Sequence, residues 1–190
     1  MGRYHHTVAM SIAKKIISTF LAAILLSGCS AKLAPIKIVA CVDINRFMGD
    51  WYVIASIPTM IEKRAHNAVE SYRLDSDGTI ATTFTFRQNS FDGPIKTYRP
   101  RGFILDKVSN AVWGMQFLWP IKAEYLITYL DEGYTRTIIS RNKRDYVWIM
   151  ARTPAIPDED YRKLVKEVSL QGYDIDKLKK VPQRWPHTGR

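Results

Sequence analysis

The sequence predicts an all-β protein: an eight-stranded up-and-down antiparallel barrel with one C-terminal α-helix packed on the outside. Three observations carry this. From about residue 50 the apolar pattern has period two, in eight separate runs rich in Val, Ile, Thr, Phe, Tyr and Trp. Turn chemistry separates the runs and no helical pattern falls between them, so successive strands pair as hairpins. Eight such strands in roughly 100 residues are most economically closed on themselves, which removes the sheet edges and leaves an interior able to hold one small ligand.

The elements follow in chain order. Lys14 and Lys15 precede the apolar run IISTFLAAILL at 16–26, which suits the core of a signal peptide and is short for a bilayer span. Residues 1–28 therefore read as a signal segment, with translation starting at Met1 or at Met10. The run ends in Leu26-Ser27-Gly28-Cys29, which resembles the lipobox of bacterial lipoproteins. That resemblance implies cleavage before Cys29, lipid on its sulfur, and, with Ser30 rather than an acid following, an outer-membrane location facing the periplasm. The two cysteines are Cys29 and Cys41; a disulfide between them is the alternative to the lipid, and the role of Cys41 stays open. Residues 29–42 read as a tether, and 43–190 as the barrel with its helix.

The strands are placed at 51–57, 69–74, 79–87, 96–105, 111–117, 124–130, 136–140 and 146–152. Alternate connections of a meander lie at the same end. The second, fourth and sixth (DSDG, DKVSN, DEG) are short and polar, which makes one end tight. The first, third, fifth and seventh (PTMIEKRAHNA, QNSFDGPI, LWPIKA, RNKRD) combine apolar tips with bases, so that end is the candidate mouth. After the last strand, Pro157 and the acids at 158–160 open a helix of about 157–171 that Gly172 stops, with Tyr161, Leu164, Val165 and Val168 on its apolar face.

Composition narrows the function. The net charge is +10, of which three bases and no acid fall in the first 28 residues; the rest alternates with acids and forms no nucleic-acid patch. After the signal segment only His66 and His187 remain, far apart, so no metal site is expected. No Ser-His-Asp set, Gly-x-Ser-x-Gly, phosphate loop or barrel cysteine offers a nucleophile, and the chain does not read as an enzyme.

NRFMGDWYVIASIP at 45–58, LDEGY at 130–134 and YVWIMARTP at 146–154 resemble, in order, the three signatures of the lipocalins. With the lipobox in front, the resemblance is to bacterial outer-membrane lipoprotein lipocalins of the apolipoprotein D type. Gly49, Trp51 and Arg152 form the structural base, with the guanidinium over the indole where the first and eighth strands meet. Alternation from these anchors turns Val53, Ala55, Trp148 and Met150 inward, joined by Tyr72, Phe84, Trp113, Met115 and Tyr125 as ligand-binding residues. These side chains could also fill the barrel solid. Met60, Phe91, Leu118, Trp119, Lys122, Arg141 and Arg144 stand at the mouth.

An apolar interior under a basic collar suits a hydrocarbon tail with an anionic head: lysophospholipid, fatty acid or phospholipid. Haem, a bilin or another planar hydrophobic ligand is the alternative, as is an envelope lipoprotein without ligand. No cofactor is expected. The partners expected are a small hydrophobic ligand and, through the anchor, the membrane, and a homodimer stays open.

Overall fold

The computed structural model describes residues 33–185, so the signal segment and Cys29 lie outside the described residues. A short helix α1 (Ile44–Phe47) leads into β1 (Gly49–Ile57), followed by β2 (Ala65–Leu74), β3 (Thr79–Gln88), β4 (Ile95–Tyr98), β5 (Arg101–Ile104), β6 (Val112–Leu118), β7 (Ile121–Leu130), β8 (Arg136–Ser140) and β9 (Val147–Ala151). Consecutive strands hydrogen-bond to each other except β4 and β5, which both pair with β3, and β9 returns to β1 with Val53 opposite Met150, so the sheet closes. Eight positions make up the wall, because β4 and β5 share one place beside β3. The expected strand 96–105 is interrupted at Arg99-Pro100, since proline has no N–H for the ladder. Above that break β4 pairs with β3 alone.

The barrel needs its C-terminal tail. β1 pairs with β2 only over residues 49–52; beyond that the two strands part. The tail occupies the gap. β10 (Lys179–Lys180) sets Lys180 opposite Ala55, Val181 N donates to Ile54 O at 2.9 Å, and Asn67 N donates to Pro182 O at 2.9 Å. The Gln183 side-chain amide reaches both walls, donating to Val53 O at 2.8 Å and Ala68 O at 3.2 Å.

Residues 34–42, read from sequence as a tether, lie along the barrel. Val42 N donates to Ser109 O at 2.7 Å at the tight end, Val39 N to Ile127 O at 3.0 Å midway, and Ile36 N to Asn142 Oδ1 at 2.8 Å at the mouth end.

The helix α2 (Asp158–Leu170) carries acids in its first turn and ends before Gly172, whose φ of +86° is a conformation glycine adopts without penalty. Leu164 and Val168 are buried against the outward side chains Ile54, Ile138, Val147 and Ile149. Arg136 on β8 meets Asp160 at 2.7 Å.

Inside, the tight end is a solid aromatic plug. Phe47 from α1 packs on Trp51 (ring centroids 5.0 Å apart), Tyr72 (5.7 Å) and Trp113 (5.5 Å). The Arg152 guanidinium lies 3.9 Å from the Trp51 ring centroid and donates to the carbonyls of Arg46 and Asp50 at 2.8 Å. Gly49, beside the guanidinium, takes φ +93°, a backbone conformation that glycine adopts without the penalty other residues meet. Trp51 Nε1 donates to Phe47 O at 2.9 Å, so its one polar atom is satisfied in the plug. Truncating a fully buried aromatic with this many neighbours should lower stability by about 3–5 kcal/mol. Trp51→Ala should show that loss in urea unfolding, and Arg152→Ala a smaller one.

Candidate functional site

Above the plug the barrel is open. A cavity of about 340 Å³ is lined by Met60, Ile61, Phe84, Met115, Phe117, Ala123 and Tyr146 as its apolar wall, with Thr59, Glu62, Glu70, Glu124, Tyr125, Arg141 and Trp148 supplying polar atoms. Each strand places its residue by parity. Phe84 is two steps above Thr82 on β3, Met115 two above Trp113 on β6, and Trp148 two above Met150 on β9. The expected row thus divides at mid-barrel: Phe84, Met115, Tyr125 and Trp148 line the cavity. Val53, Tyr72, Trp113 and Met150 belong to the packed core beneath it.

Ala55 does not face inward. A bulge between Val53 and Ala55 breaks the alternation, and Ala55 packs outside with Ile54 and Ile149 under the helix.

At the mouth, Met60, Leu118, Trp119 and Ile121 are 83, 71, 81 and 67 % exposed. The last three surround the β6–β7 turn, where Leu118 pairs with Ile121 across a cis Trp119-Pro120 peptide. An apolar cluster of this kind on one hairpin tip exceeds the scattered exposure of ordinary surfaces.

Two of the expected collar bases, Lys122 and Arg144, do not face the cavity. Lys122 lies on the outer wall, its Nζ 3.6 Å from the Phe103 ring centroid, because β7 parity turns it away from Ala123. Arg144 clamps the outside, donating to Ala34 O and Asn142 O at 2.6 Å and Gln171 O at 3.1 Å. Phe91 packs on the far side of the β1–β2 gap, between His66 and Arg184. Arg141 alone of the expected bases lines the cavity, and Asp145 holds it at 3.2 Å. Its loop is pinned by Tyr173, whose hydroxyl accepts from Arg141 N at 2.8 Å and donates to Tyr146 O at 2.9 Å.

Sequence reasoning missed two buried carboxyls, Glu62 and Glu70. The signal was available for Glu70, since the parity that turns Tyr72 inward turns Glu70 inward as well. Glu62, in an irregular turn, gave none. Its Oε1 accepts from Thr59 N at 2.9 Å and Trp148 Nε1 at 3.1 Å. Burial raises the Glu62 pKa against these bonds. Glu70 is 8 % exposed, and burial lifts its pKa from 4.5 to about 7, with the Glu62 charge adding to the rise and the Tyr72 hydroxyl opposing it. That hydroxyl is shared: Tyr72 and Tyr125 hydrogen-bond to each other across the cavity floor.

A family model described as a lipocalin-like domain matches residues 42–183. Temperature-induced lipocalin-1 of Arabidopsis thaliana is 31% identical over 153 residues, spanning 77% of this chain and 82% of the relative. Outer membrane lipoprotein Blc of Escherichia coli K12 is 26% identical over 170 residues, 88% of this chain and 96% of that protein. Among solved structures, insecticyanin from the tobacco hornworm Manduca sexta superposes with a TM-score of 0.63 at 16% identity, over 81% of this chain and 86% of that one.

The raised Glu70 pKa sets a pH dependence. Between pH 4.5 and about 7 the folded chain keeps a proton that the unfolded chain releases, so stability falls as pH rises, by roughly 3 kcal/mol over the window. Glu62 acts with the same sign. Glu70→Gln should flatten this slope and raise stability above about pH 7, as read from urea midpoints across the range; an unchanged slope would remove Glu70 as its source.

Proposed function

The chain belongs to the lipocalin-like family, and from that premise we propose that it is a lipid-anchored binding protein of the bacterial outer membrane, carrying a single-chain amphiphile in its barrel. The observation that supports this most directly is the half-filled interior: a packed aromatic floor, an apolar cavity above it, and a greasy lip beside the opening. A purely structural barrel gains nothing from leaving its upper half empty, since each buried CH₂ placed there would contribute about 0.8 kcal/mol.

Size and lining narrow the ligand. About 340 Å³ lies at the low end of small-molecule cavities and suits one hydrocarbon chain better than the two of a phospholipid. The lining holds no histidine, cysteine or serine, the commonest haem ligands and hydrolytic nucleophiles. Binding and transfer are therefore the activity we assign. The Leu26–Cys29 lipobox and the similarity to a protein named an outer membrane lipoprotein support the location. Organic extraction of the purified protein followed by mass spectrometry should yield a single-chain amphiphile, and a protein consistently empty after gentle isolation would favour the structural role.

Two further outcomes are expected. Cys29→Ala should move the protein from membrane to soluble fractions and abolish palmitate labelling, because stable anchoring needs more than one acyl chain. Leu118→Ser with Trp119→Ser should leave the melting temperature nearly unchanged, since both are exposed. Uptake of a fluorescent lysophospholipid from vesicles should slow, because Trp and Leu at the lip partition into the headgroup boundary. A large stability loss with unchanged uptake would relocate the mouth.

A further inference from the structure

We propose that the cavity selects a hydrophobic amine: one apolar chain ended by an ammonium group, which the carboxyls of Glu62 and Glu70 receive. The proposal rests on the single-chain reading above and specifies the charge of the ligand's polar end.

The cavity is chemically two-sided. Thr59, Glu62 and Glu70 come from β2 and the connection that leads into it, whereas Phe84, Met115, Phe117 and Ala123 supply apolar surface from β3, β6 and β7. Glu70 projects between Trp51 and Phe84, its register partners on β1 and β3, and is more than nine-tenths buried. Glu62, equally buried, is close enough to raise its pKa. Two carboxyls removed from water side by side are unfavourable unless a cation joins them.

No cation of the chain does so among the described residues. Arg141, the one base in the lining, is held by Asp145 and lies over the Tyr146 ring with 5.3 Å between them. Lys122 and Arg144 are on the outer wall. Glu124 is already satisfied, accepting from Asn142 N and Nδ2 at 2.6 Å each. Tyr72 and Tyr125 are pushed well above the usual phenol range, by burial first, and stay neutral.

An ammonium group supplies what is missing. It has three N–H donors and no acceptor. Glu62 and Glu70 accept two, and Thr59 Oγ1, buried without a hydrogen-bond partner, accepts the third. The rings of Phe84 and Trp148, both in the lining, suit the polarised methylenes next to nitrogen. The chain then runs along the apolar wall toward Phe117 and the lip. A fatty-acid carboxylate in the same place meets two acids and no base, the reverse of the anionic preference expected from the sequence.

The test compares dodecylamine, dodecanol and dodecanoate by titration calorimetry, below their aggregation limits, on the wild type, Glu70→Gln and Glu62→Gln. At about pH 8 the amine should bind roughly tenfold or more tighter than either other compound. Lowering the pH to about 5.5 should erode the amine's advantage and improve dodecanoate, as Glu70 takes up its proton. Glu70→Gln should collapse the ratio and its pH dependence, while its circular dichroism and its melting curve at about pH 8 show that the variant is folded. Dodecanol or dodecanoate matching the amine on the wild type, or an unchanged ratio in both variants, would overturn the amine proposal and leave the single-chain reading standing. Binding of none of the three would overturn both.

Discussion

The stacking of Arg152 on Trp51 is the contact on which the rest of the molecule depends. It sits where the last strand meets the first, so it closes the barrel and seals its base at once. The guanidinium also draws together the carbonyls of Arg46, Phe47, Asp50 and Tyr134, fixing α1 and the β7–β8 turn under the plug. With the base fixed this firmly, the opposite end can afford strands that part, an interrupted β4–β5 wall and an unfilled interior. Packing is dense below and open above, the distribution expected of a scaffold that presents a site at one end.

The fold was legible because its signals are local and repeated. Period two, turn residues and a capped amphipathic helix each point to the same architecture, and the Gly49, Trp51 and Arg152 signatures give it a register. What could not be read was where that register slips. The bulge at Val53–Ala55 leaves no mark in a stretch of small and β-branched residues, yet it turns Ala55 from cavity to outer wall. The tail at 179–184 looks like loop in sequence. It acts as wall only because β1 and β2 diverge, a tertiary event with no local trace.

The charge pattern was the least legible part. Lys122 and Arg144 lie in mouth-end connections, but a connection has two sides, and parity plus clamping by backbone carbonyls sends both outward. Glu70 was overlooked for a general reason: an acid in an alternating strand is ordinarily the solvated member. Here it shares the inward side with Tyr72, and the resulting cavity carries the opposite charge from the one that counting bases in loops implies.

The strap at 34–42 has a mechanical consequence. Its last fixed point is Ala34, whose carbonyl is held by Arg144 on the β8–β9 loop at the open end. On the lipid-anchored reading, four residues separate Ala34 from Cys29, and the five Cα steps between them make a leash of at most roughly 17 Å. A tether leaving from the closed end would let the barrel tumble with its opening toward the periplasm. An anchor at Cys29 would instead suspend the molecule by its rim, so that the opening would sample the bilayer surface at a high effective concentration and ligand exchange would become an intramolecular step governed by tilt rather than by diffusion.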